Sequence, residues 1–139
     1  MRNARPKRLR VTLLLLWVFL MIACEPGLSA RVKGGNPPVF HFYGDDKMHH
    51  FFICPEGVES QRNEKNAIWQ IAPDSAHDES WPLDITYGVV PEGFVQVTPK
   101  SGEPPLALQP DKKYTYHFVR GFGGGGGGFM IRGGQAVEW

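Results

Sequence analysis

The sequence predicts an all-β domain, a single small antiparallel β-sandwich, and three observations predict it. Apolar residues come in short bursts rich in aromatic and β-branched side chains, separated by clusters of Gly, Pro and Asp. Several bursts alternate with period two, as half-buried strands do. With 12 prolines and 17 glycines in 139 residues, little room is left for long helices.

The chain opens on a different signal. Arg2, Arg5, Lys7, Arg8 and Arg10 form a basic head, and Val11 to Ala23 is an apolar run broken only by Thr12. That run is too short to span a bilayer comfortably as a permanent helix and reads as the core of an export signal, residues 1–23. It ends on Met21-Ile22-Ala23-Cys24. This resembles a bacterial lipobox, and the resemblance implies a covalent lipid on Cys24, cleavage before it, and a mature chain anchored in the bacterial cell envelope. The family prefers Leu where Met21 stands. Glu25 rather than Asp after the cysteine leans toward the outer membrane in a Gram-negative cell. The alternatives are ordinary cleavage after Leu28-Ser29-Ala30 and an uncleaved signal or anchor helix.

Residues 24–38 contain Pro26, Gly27, Gly34, Gly35, Pro37 and Pro38 without a periodic apolar pattern, which predicts a flexible tether carrying the lipidated N-terminus. The domain is then residues 39–139. Its expected strands lie at Val39 to Tyr43, His49 to Cys54, Ala67 to Ile71, Ile85 to Val90, Phe94 to Val97, Tyr114 to Val119 and Phe129 to Ile131. Asp45-Asp46 offers a turn between the first two. Glu56 to Asn66 is a loop or a short helix. Val90-Pro91-Glu92-Gly93 has turn chemistry and predicts a hairpin between its flanking strands. Phe94, Gln96 and Thr98 should share one face and Val95 and Val97 the other.

Leu108-Gln109-Pro110-Asp111-Lys112-Lys113-Tyr114 leads into the strand Thr115 to Val119. It resembles the Leu-x-Pro-x-x-x-Tyr corner of fibronectin type III and related immunoglobulin-like sandwich domains. The resemblance covers residues 106 to about 132 and implies a core-packed Leu108, a chain turn at Pro110 and a Tyr114 hydroxyl bonded back to the upstream backbone. Trp69 would be the core tryptophan that such folds often carry.

Charge and motifs narrow the function classes. Five of the 15 Lys and Arg lie in the first 23 residues and all 14 Asp and Glu lie beyond them, so the remaining chain carries −4. No Lys/Arg cluster forms a basic face, which argues against nucleic acid as a partner. Cys54 follows Phe51-Phe52-Ile53 and reads as a small buried hydrophobe, with a reactive thiol as the alternative.

Gly123 to Gly128 are six consecutive glycines. A phosphate loop would need a following helix, whereas Phe129-Met130-Ile131 reads as a strand, so a mobile hairpin tip is expected. Phe122, Phe129 and Trp81 are the aromatics outside expected core positions and are the candidate binding residues, with Trp139 beside them. His41, His49 and His50, near Asp45 and Asp46, are weak metal-ligand candidates; no recognised ligand spacing occurs, so no metal and no cofactor other than the lipid is expected. Asp74, Asp78, Glu79 and Asp84 around Trp81 read as a solvated loop.

The expected function is noncatalytic: a membrane-anchored envelope lipoprotein that binds a protein partner or serves assembly. A small exported metal protein or hydrolase using Cys54 and the histidines is one alternative, and a passive structural envelope protein is another.

Overall fold

The computed structural model describes residues 27–44, 47–57, 64–74, 82–121 and 123–139. Cys24, Trp81 and Phe122, and with them the expected signal, lipidation position and two of the three candidate binding aromatics, lie outside the described residues, as do Asp45, Asp46, Asp78 and Glu79.

The described strands form two antiparallel sheets. One holds β1 (Ser29–Gly34), β2 (Val39–Tyr43) and β5 (Asp84–Thr86) in the order β1-β2-β5. The other holds β3 (Met48–Pro55), β4 (Trp69–Pro73), β6 (Phe94–Thr98), β7 (Lys113–Arg120), β8 (Gly123–Arg132) and β9 (Gln135–Glu138) in the order β6-β4-β3-β7-β8-β9. One short 3-10 turn, Glu64–Asn66, follows β3.

The sheets share one core because alternate residues of each face the other. Phe40 and Phe42 of β2 and Ile85 of β5 meet Phe51 and Ile53 of β3, Trp69 and Ile71 of β4, Tyr114, Tyr116 and Phe118 of β7, and Phe129 and Ile131 of β8. Phe40 is fully enclosed, with the rings of Phe51, Tyr116 and Phe129 at 5.1, 5.2 and 5.4 Å. Tilted and edge-on contacts of this kind add to the area term for large aromatic rings. Trp69 is buried as expected, edge-on to Tyr87 at 5.3 Å.

Three expectations change. The tether does not run to Pro38: β1 begins at Ser29, and Leu28 is buried in the core. Ala30 and Val32 pack inward, and Gly34 and Gly35, both at positive φ, turn the chain back into β2. The Gly/Pro composition there marks a turn between paired strands. The turn before β6 exists, with Gly93 at φ 80° and the Phe94 N–H donating to the Pro91 carbonyl at 3.1 Å. It joins strands of different sheets, so it is a crossover and not a hairpin.

In β6 the side chains divide as predicted, but the amide-bearing side faces in. Val95 and Val97 are exposed, while Gln96 accepts from the Trp69 indole N–H at 3.1 Å. Finally, the six glycines are no loop. They are the first half of β8 and pair residue by residue with β7, from Arg120↔Gly123 to Thr115↔Gly128.

Candidate functional site

The paired register of β3, β7 and β8 puts Phe52 and Cys54, Thr115, His117 and Val119, and Gly124, Gly126 and Gly128 on the face turned away from the core. A strand normally lays a row of side chains over its neighbours. Here the stretch of β8 from Gly123 to Gly128 supplies none, and a groove of about 550 Å³ opens above it. Phe52, Thr115, His117 and Val119 line one side and Trp139 stands at one end.

The glycines are dictated by close approach on both faces. On the core side a Cβ at Gly125 would meet the Phe118 ring, and one at Gly127 the Tyr116 phenol; these two aromatic side chains occupy the space that β8 leaves. On the outer side a Cβ at Gly126 would run into the Tyr116 carbonyl of β7, and one at Gly128 into the Trp139 indole. Strand propensity alone disfavours glycine, so the pairing rests on β7 and its rings.

The rim is polar and aromatic together. His117 stacks on Phe52 with centroids 5.2 Å apart and 28° between planes. Thr115 is 5 % exposed, and its Oγ1 has no hydrogen-bond partner among the described residues. A buried hydroxyl in that state is costly unless something enters to bond it. Trp139 remains half exposed, with the Lys113 ammonium 4.3 Å from its ring centroid in cation–π geometry.

The other candidate residues scatter. Phe129, expected as an exposed binding aromatic, is fully buried, stacked on Tyr114 at 5.5 Å and edge-on to Phe40. Its neighbours in sequence are glycines on one side, but its register partner is core-lining Tyr114.

The histidines do not gather. His41 lies on β2 and His49 and His50 on β3, in different sheets. His41 Nδ1 sits 2.6 Å from Asp84 Oδ1 and Lys33 Nζ 3.1 Å from Asp84 Oδ2. Those bonds, His41's first, hold the Asp84 carboxyl below its ordinary value. Asp84 is therefore a strand residue in an ion pair, not part of a solvated loop. His50 Nδ1 faces the Gln70 amide at 3.3 Å. Among the described residues, no three of His, Cys, Asp and Glu converge as metal ligands. Cys54 is buried, and desolvation pushes its thiol up, away from thiolate chemistry.

The corner residues come together. The Gln109 N–H donates to the Tyr114 hydroxyl at 2.9 Å, Leu108 packs against the core, and Pro110 bridges to Ile131 of β8. Sequence reasoning missed the groove because it assigned the glycine run to a loop. A signal was present: a tract of six residues flanked by strand-like sequences on both sides, facing an alternating aromatic strand of matching length.

These features define an all-β protein of two antiparallel sheets, sandwich-like, with a groove on the outer face of the larger sheet. Comparison with family models, curated proteins and solved structures finds no match to this chain.

Proposed function

We propose that the chain is an exported envelope lipoprotein, anchored by a lipid on Cys24, whose immunoglobulin-like or fibronectin type III-like domain binds a protein partner at the membrane surface without catalysis. The groove over β8 carries the binding part of this reading: an orphaned Thr115 hydroxyl, the Phe52–His117 stack and a half-exposed Trp139 converge on one open space. Such a mixture of apolar wall and few polar groups is what recognition sites offer. The fold assignment draws support from the Leu108, Pro110 and Tyr114 geometry and from the buried Trp69.

The position of Leu28 supports the earlier cut. Cleavage after Ala30 would remove Leu28 from the core and take Ser29 and Ala30 off β1, whereas cleavage before Cys24 leaves both intact. From Cys24 to Leu28 the chain spans at most about 14 Å at roughly 3.6 Å per residue. The domain would then sit on the bilayer itself. A diacyl or triacyl anchor holds essentially permanently, since each buried methylene contributes about 0.8 kcal/mol, and confinement to a thin layer populates weak contacts.

Two measurements test the reading together: the intact mass of the mature protein from a membrane fraction beside Cys24→Ser, then cross-linking and pull-down of the same material. The expected result is a chain starting at Cys24 with acyl mass, lost on substitution, and a cross-linked partner. An unlipidated chain starting at Arg31 would refute the anchor. Capture of nothing would refute the binding role and leave a passive envelope protein.

A further inference from the structure

β9 covers only half of β8. It pairs with Phe129 to Arg132, and beyond it the Trp139 N–H donates to the Gly128 carbonyl at 3.3 Å. The N–H and C=O of one strand residue point to the same side, and successive residues alternate. The backbone groups of Gly126 and Gly124 therefore face the same side as those of Gly128. Among the described residues they meet no ladder partner there, and Gly123, Gly124 and Gly126 are exposed. An open edge of this kind is a template for another strand. The groove lies directly beside it.

We infer that the edge of β8 at Gly123–Gly127 is a docking site for an extended segment of a partner protein that carries two large apolar side chains two residues apart. This rests on the protein-binding reading and names how the partner is held. A segment continuing the line of β9 would run antiparallel to β8 and exchange main-chain hydrogen bonds with Gly126 and Gly124. Trp139 fixes the phase: opposite Gly128, its own side chain lies on the outer face over that glycine. Residues opposite Gly126 and Gly124 would put their side chains on that same face, into the space between Trp139, His117 and Val119.

Large side chains are required because the space is empty for want of glycine side chains. On the core face Tyr116 and Phe118 fill the equivalent gap. A second copy pairing β8 with β8 would bring glycine against glycine and leave the groove unfilled, so the observations favour a different chain. The Thr115 hydroxyl gives an entering polar group one fixed point.

The test is amide hydrogen exchange of the mature protein by NMR with the probe peptide acetyl-Thr-Trp-Thr-Trp-Thr-amide. Its control is the same peptide N-methylated at both tryptophans, which keeps the side chains and removes the pairing donors. With the probe, exchange at Gly124 and Gly126 is expected to slow by about tenfold or more, while Gly125 and Gly127, whose groups face β7, change little. The N-methylated peptide should give no protection. Unchanged exchange at Gly124 and Gly126, alongside a captured partner cross-linked elsewhere, would overturn strand docking and leave the binding reading standing. Protection present without peptide and lost on dilution would make the occupant a second copy and overturn the inference. Capture of no partner at all would remove the reading on which the inference rests.

Discussion

Gln96→Leu tests how the core is tied to its loop. The Gln96 side chain enters the inner side of β6, where its Oε1 accepts from the indole N–H of fully buried Trp69 at 3.1 Å. Its Nε2 faces the carbonyls of Pro99, Lys100 and Glu103 at 3.2, 3.2 and 2.7 Å. Two N–H donors among three acceptors make at most two full bonds, the shortest to Glu103. Leucine has a similar size and no polar atoms. It would strand the Trp69 N–H, a loss of about 1–3 kcal/mol for a buried unsatisfied donor. The loop carbonyls recover water, so their share is about 0.5–1.5 kcal/mol. The expected net loss is about 2–3 kcal/mol after the apolar gain of leucine, a Tm fall of roughly 10 °C for a domain of this size. Urea unfolding followed by circular dichroism measures it as a lower midpoint at constant slope. A cycle with Trp69→Phe isolates the pair, and a coupling of at least about 0.5 kcal/mol is expected. A Gln96→Leu protein within about 0.5 kcal/mol of the parent would show that the network contributes nothing and sink the reasoning.

Phe129→Ala should destabilise the fold by about 3–5 kcal/mol in the same assay, because it opens a cavity beside Phe40 and Tyr114; a change in partner binding at unchanged stability would contradict its core placement. Burial, with the neighbouring Glu138 carboxylate, pushes the Tyr116 hydroxyl up to about 12. The folded state thus holds this proton more tightly than the unfolded chain, so the contribution is complete below about pH 10 and is lost as pH rises toward 12. Stability measured against alkaline pH should fall less steeply in Tyr116→Phe than in the parent. Cys54 should resist an aromatic disulfide reagent in the native protein and react on unfolding in urea; fast native labelling would mean that the thiol is accessible.

The sequence disclosed most of the larger sheet. Phe51, Ile53 and Trp69 lie in the apolar bursts, and Tyr114, Tyr116 and Phe118 lie in one whose period of two matches their inward placement. The corner at Leu108 to Tyr114 was legible because its chemistry is local: one turn and one hydroxyl five residues from its donor. Failures came where tertiary partners decide. Ser29–Gly34 has only Ala30 and Val32 to show inward, and only pairing with β2 makes it a strand. The turn at Pro91–Gly93 is local, but which sheet the next strand joins is not. The glycine run has no side-chain pattern at all. Its strand state is set by β7 across from it, so the groove, which is the absence of those side chains, shows in the sequence only through the matching length of the alternating aromatic strand that faces it.

A homopolymer strand also has a distinctive relation to insertion and deletion. Shifting β8 by one residue among identical glycines changes nothing that packs, because no position from Gly123 to Gly128 carries a side chain to misplace. The register is instead pinned downstream, where Phe129 and Ile131 occupy the core and pair with Tyr114 and the β9 residues. A run of seven glycines, or of five, would lengthen or shorten the connection after Arg120 and leave those anchors seated. The same change one residue past Phe129 would turn Ile131 out of the core. A repetitive stretch, the kind most prone to gain or lose a unit, thus sits where the fold tolerates the change best.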